Sequence, residues 1–143
     1  MSKDLKEKAV DIKGKKYVLV SDRIIYFNET YKDGAISTEL VSPVESPTIV
    51  IKASVRPDLS QPERIFTGYA QEVVGDGFIN KTSALENAET SAVGRALAMM
   101  GIGVIDSVAS VDEINKANNR TAQGTPNVSA PKPTTDAVGG FSL

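Results

Sequence analysis

Lys52 and Arg56 lie four residues apart in the run TIVIKASVR, residues 48–56. Successive side chains of a strand alternate between faces, so both cations point the same way with Ser54 between them. Two cations on one sheet face can hold phosphates of a polyanion. Lys13-Gly14-Lys15-Lys16 forms a second basic cluster. Lys81 and Arg95 are the two cations of residues 65–115, a stretch that carries seven acidic residues. Arg95 has Gly94 and Ala98 as small neighbours, which leaves room for a backbone, a phosphate or a partner. A lone surface cation is ordinarily solvated. Lys15, Lys16, Lys52 and Arg56 therefore stand as candidates because they cluster, and Arg95 because it is isolated. Among the aromatic residues, Tyr69 and Phe78 are the best placed to stack on a base.

Other chemistry is narrowly bounded. The chain of 143 residues has no cysteine and no histidine. Disulfides, thiolate nucleophiles, zinc ribbons and iron–sulfur ligation are excluded, and so is a Ser-His-Asp triad. Neither G-x-x-x-x-G-K-[ST] nor G-x-G-x-x-G occurs, so the phosphate-cradling glycine loops are missing. Asp76, Glu86 and Glu89 are grouped near one helix, but a capping residue and solvated helix faces account for them better than a metal site. The expectation is a non-enzymatic binding protein that uses no cofactor. Its formal charge of −2 excludes a polycation but not a local basic patch.

The elements that must position these residues follow from periodicity. Thr82 to Met100 places Leu85, Ala88, Ala92, Val93, Ala96, Leu97 and Met100 at helical spacing. Ser83 with Glu86 fits a capping box, and Gly101 stands where a helix-ending glycine belongs. The opposite face, with Glu86, Asn87, Thr90, Ser91, Gly94, Arg95 and Ala98, is polar and dominated by small residues. Upstream, residues 35–41, 48–56 and 65–74 read as three strands joined by turn-rich links. Residues 17–33 are ambiguous between strand and helix. Helix is preferred, with Ser21 or Asp22 as N-cap, Ile24, Phe27 and Tyr31 on one face, and Gly34 at its close. The order is then α-β-β-β-α: an α+β fold with helices on one face of a three-stranded antiparallel meander.

Three regions are expected. Residues 1–16 form a flexible basic arm, 17–115 the packed domain, and 116–143 a disordered tail too polar to bury a core. The tail is a candidate contact for a protein partner. No apolar run reaches the ~20 residues of a membrane span. No secretory signal opens the chain, so a cytoplasmic location and no membrane partner are expected.

The segment 80–101, alanine-rich with Gly-Arg-Ala-Leu and a terminal glycine, resembles a stretch of phage-type single-strand DNA annealing proteins of the Rad-fifty-two-like recombination mediator superfamily. Residues 22–31, Gly34 and 37–41 resemble that family's first helix and strand. The resemblance covers about residues 17–105. It implies single-stranded DNA binding and ATP-independent annealing of complementary strands in recombination, by a homo-oligomeric ring or filament. It places Arg95 at a DNA-contacting position and Lys81 at a plausible one. Alternative readings are a passive single-strand binder or recombination accessory, an oligomeric phage protein that never touches DNA, and a carboxylate–metal nuclease.

Overall fold

A computed structural model of the chain describes residues 3–75 and 77–105, with the side chains of residues 3–4 and 77–82 outside that description. The chain divides into two units, Met1–Val111 and Asp112–Leu143. The second unit, and with it the expected tail at 116–143, lies outside the described residues.

The first unit runs α1 (Lys3–Glu7), β1 (Val10–Ile12), β2 (Lys15–Tyr17), α2 (Val20–Thr30), β3 (Ala35–Leu40), β4 (Thr48–Arg56), β5 (Phe66–Val73) and α3 (Gly77–Met99). From α2 onward this is the expected α-β-β-β-α order, and the fold is α+β. Within the basic segment, residues 3–7 form a short helix and residues 10–17 an antiparallel hairpin. Lys13 and Gly14 both take positive φ, 51° and 84°, at the hairpin's two-residue turn. Leu5, 2% exposed, joins the core and Ala9 packs against it, which ties the basic segment to the domain.

Strands β3, β4 and β5 form a meander in that spatial order. The register sets Glu39 opposite Lys52 and Lys52 opposite Tyr69. It also aligns Ser37, Ser54 and Thr67, and, between those two rows, Thr38, Ala53 and Gly68. Burial alternates along β4: Ile49, Ile51, Ala53 and Val55 are buried, and the residues between them are half-buried. The apolar side meets α3, and the other side carries Lys52, Ser54 and Arg56. Ser42 and Ser46, each before a proline, accept backbone N–H bonds from Val50 and Thr48 at 3.0 and 3.1 Å. Those bonds tie down the β3–β4 turn, where the prolines have no N–H to offer.

Helix α3 packs on the sheet through its smallest residues. A Cβ on Gly68 would lie 2.5 Å from the Ala96 nitrogen and 2.6 Å from the Ala92 carbonyl oxygen. Helix and strand backbones are thus in direct contact, which only glycine on β5 and alanine on α3 permit. The helix is kinked at Ser83 (φ −140°, ψ 31°), the residue expected to cap it. Two helical runs meet there, Gly77 onward and the long run to Met99, and the non-helical Ser83 stands at the start of the second, where the capping box was expected. The C-terminus is a complete Schellman motif. Gly101 has φ +93°, its N–H bonds to the Ala98 carbonyl, and the Ile102 N–H bonds to the Leu97 carbonyl. Ile102 and Leu97 are both buried, giving the motif its apolar contact.

Helix α2 begins at Val20 with Leu19 in the capping position and no side-chain cap. Asp22 instead sits in the first turn, where a carboxylate favours the helix dipole. Phe27, fully buried, packs beneath Gly34, whose Cβ would meet the Phe27 ring at 2.9 Å.

Candidate functional site

The sheet's second face, turned away from α3, carries the site. Tyr69 alternates with Gly68, so it must project on the side opposite the helix. It is 53% exposed. The ammonium of Lys52, on the neighbouring strand at the paired position, stands 6.0 Å from the centre of the Tyr69 ring. That distance is at the outer limit of a cation–π contact, so the mutual attraction is weak. Glu39 flanks Lys52 on its other side. Two residues along each strand lies a row of three hydroxyls, Ser37, Ser54 and Thr67.

Arg56 ends the basic line on β4. Its Nε donates to the Pro62 carbonyl oxygen at 3.1 Å, which fixes the guanidinium against the β4–β5 loop. That loop also holds Arg64, whose guanidinium lies 5.0 Å from the centre of the Phe66 ring. Asp58 shapes the loop by accepting from the Ser60 N–H and hydroxyl at 2.9 and 2.7 Å. These two bonds, the hydroxyl's being the stronger influence, hold the Asp58 carboxyl below its ordinary value.

The structure brings together Lys52, Arg56 and Tyr69 and leaves the other candidates elsewhere. Lys15 and Lys16 are exposed on β2, in a separate two-stranded sheet, and Lys16 pairs with Asp11 at 3.4 Å. Arg95 is half-buried on α3, with its Cβ against Gly68, so it leaves the helix on the opposite side of the sheet from Lys52. Lys81 falls in the opening turns of α3, and its side chain, like that of Phe78, lies outside the described residues.

The open space expected beside Arg95 is filled. Gly94 is buried, and its carbonyl oxygen accepts from Arg23 Nη1 at 3.0 Å. Ser91 and Ala98 are buried as well. The small polar face of α3 is therefore where helix α2 packs. Arg23 itself is 4% exposed, and Gly103 (φ +82°) has no room for a Cβ against the arginine's Cδ. Sequence reading gave Arg23 no role. The spaced glycines at 94, 101 and 103 were its only signal. Among the carboxylates, Glu89 accepts from the Thr38 hydroxyl at 2.6 Å, joining α3 to the edge strand β3, and Asp76 lies outside the described residues. Among the described residues no helix is long and apolar enough to cross a membrane.

Among the described residues, fold and site define a small α+β module of three helices, a two-stranded hairpin and a three-stranded meander with α3 packed on one face. Residues 24–100 match a family described as Slr1353 N-terminal dsRNA-binding domain-like, and the chain belongs to that family. No curated protein and no solved structure matches the chain. This membership corrects the resemblance to the Rad-fifty-two-like annealing superfamily, which is a different family. The error has a physical source. The alanine- and glycine-rich signature of 80–101 is what close helix–sheet and helix–helix packing demands. Ala92 and Ala96 meet Gly68, and Gly94 meets Arg23.

Proposed function

We propose that this protein is a non-catalytic nucleic-acid-binding module that holds a single strand on the open face of β3–β5. The observation that carries the reading is the Lys52–Tyr69 pair, a cation beside an exposed aromatic ring on the sheet face turned away from α3. Lys52 and Arg56 meet phosphates, and Tyr69 stacks on a base. The family description, dsRNA-binding domain-like, supports nucleic acid as the ligand class.

Charge favours a single strand on the sheet over a duplex on the helices. From Ser83 to Met99, α3 has one cation, Arg95, against Glu86 and Glu89. The β3–β4 loop, residues 41–47, has Glu45 and no cation. A duplex is held chiefly by cations facing its phosphates, and these elements offer few. Stacking on Tyr69 also requires an unpaired base. Strand annealing, recombination and ring or filament assembly rested on the annealing-superfamily resemblance and form no part of the proposed function.

Fluorescence anisotropy with single-stranded and duplex oligonucleotides of matched sequence tests the reading at low salt. Single strands should bind, and Lys52→Ala and Tyr69→Ala should each weaken that binding. Tighter duplex binding, unaffected by either substitution, would move the contact off the sheet.

A further inference from the structure

We infer that a second copy of this chain pairs with the outer edge of β3, antiparallel and about a two-fold axis at Thr38, so that the two three-stranded meanders join into one sheet. Among the described residues no strand pairs with that edge. A two-fold contact closes on itself, so it gives a dimer and not a filament. The pairing goes beyond the strand site and needs no nucleic acid.

The ladder fixes which backbone groups face outward. The Val41 N–H bonds to the Val50 carbonyl oxygen on β4 at 2.8 Å. Backbone direction alternates along a strand, so Ala35, Ser37 and Glu39 also turn their groups to β4. Ile36, Thr38 and Leu40 then turn their N–H and C=O to the open edge. Such an edge is a template for another strand, and natural edges are blunted by lysine, proline or an inward charge. Residues 35–41 hold neither lysine nor proline. Ser37 to Leu40 are all exposed although they alternate between the two faces, so among the described residues neither side of this stretch is covered. The other edge is guarded. Gly68 on β5 touches the α3 backbone, so a copy paired there, one strand spacing of ~5 Å away, would bring a second α3 closer than the about 8–10 Å two helices need. Glu72 on β5, paired with the buried Ile49, is itself buried and turned inward.

Side chains select the register, and they select a second copy because β3 is complementary to itself. With Thr38 on the axis, Ile36 meets the partner's Leu40 on the α3 side. On the other face Ala35 meets the partner's Val41, and Ser37 meets the partner's Glu39. Leu40 and Val41, 38% and 50% exposed, thereby gain apolar neighbours. Shifting the copy by two residues one way sets Glu39 against the partner's Glu39, two like charges directly opposed. Shifting it the other way sets Leu40 against the partner's Gly34 and Glu39 against the partner's Ala35, and the apolar matches are lost. A shift of one residue would turn every side chain to the wrong face.

Sedimentation equilibrium of the full chain, without nucleic acid, should give a mass of twice 15.2 kDa. A monomer mass at every concentration up to ~100 μM would overturn the dimer. Leu40→Lys sets a charge against the partner's Ile36 and should raise the dimer dissociation constant about tenfold or more, with an unchanged circular-dichroism spectrum. The chain has no cysteine, which permits a register test that leaves the apolar residues in place. Ser37 and the partner's Glu39 form a pair that is not hydrogen-bonded, with Cα atoms ~4.5 Å apart, within reach of a disulfide. Ser37 and the partner's Ser37, or the two Glu39 residues, stand ~8 Å apart, beyond that reach. Mixed Ser37→Cys and Glu39→Cys chains should therefore cross-link to each other under mild oxidation, and neither alone should cross-link to itself. No cross-link in the mixture, a cross-link within either variant alone, or a Leu40→Lys dimer as tight as the natural one would overturn the pairing.

Discussion

Lys52 and Tyr69 are cross-strand partners whose side chains meet on the sheet face opposite helix α3, with the lysine nitrogen 6.0 Å from the ring centre. The pairing follows from two backbone facts. Gly68 is fixed against the backbone of α3. The next residue must then face the other way. The contact of Gly68 with the α3 backbone thereby turns Tyr69 outward.

Removing either partner should weaken strand binding in a different way. Tyr69→Ala should cost about 1–3 kcal/mol at any salt concentration, the usual worth of one base–aromatic stack. Lys52→Ala should lower the log–log salt slope by ~0.7, because one phosphate contact is lost. Affinity measured across a salt series separates the two. Parallel salt slopes for Lys52→Ala and the natural chain would remove Lys52 from the phosphate path.

Gly68→Ala should destabilise the fold. The added methyl would meet backbone atoms of Ala92 and Ala96, which cannot rotate away as a side chain can. A cost of about 1–3 kcal/mol is expected from overpacking, and more if the helix must lift from the sheet. Urea unfolding reads it directly, and an unchanged midpoint would contradict the packing described.

Arg23→Ala should also be destabilising, by about 2–3 kcal/mol, through loss of a charged hydrogen bond to the buried Gly94 carbonyl and of the packed stem. Thermal unfolding with Arg23→Ala, and with Gly103→Ala on the facing turn, should show both lowered. A neutral Gly103→Ala would mean that the turn does not close on Arg23.

Asp58 supplies a pH marker. Its folded pKa lies below the ordinary 3.8 because Ser60 bonds its ionised form. The stabilisation is present above the unfolded value and is lost as pH falls through the folded one. An NMR titration should place the Asp58 midpoint below 3.8, and Ser60→Ala should raise it while leaving the backbone bond's smaller influence. The same midpoint in both proteins would contradict the assignment.

Much of the fold was legible because periodicity reports burial. The β4 run was read at its observed bounds, since its alternation is uninterrupted from Thr48 to Arg56. Gly101 was read as the end of α3 because a left-handed residue there calls for glycine. What was misread turned on partners distant in sequence. Leu5 is one apolar residue in a charged segment, and no local pattern shows that it reaches the core. Gly94 and Ala98 looked like open space, since Arg23, 71 residues before Gly94, was not known to fill it. For the site, alternation gave the shared face of Lys52 and Arg56. The juxtaposition of Lys52 with Tyr69 and the alignment of Ser37, Ser54 and Thr67 depend on strand register, which the sequence does not print.

The most direct measurement is an amide chemical-shift titration of the protein with a single-stranded oligonucleotide. Saturable shifts should concentrate at Lys52, Ser54 and Arg56 on β4 and at Thr67 and Tyr69 on β5, with the outer surfaces of α2 and α3 unmoved. Shifts confined to those helices, or larger shifts there with duplex than with single strand, would contradict the sheet as the binding face.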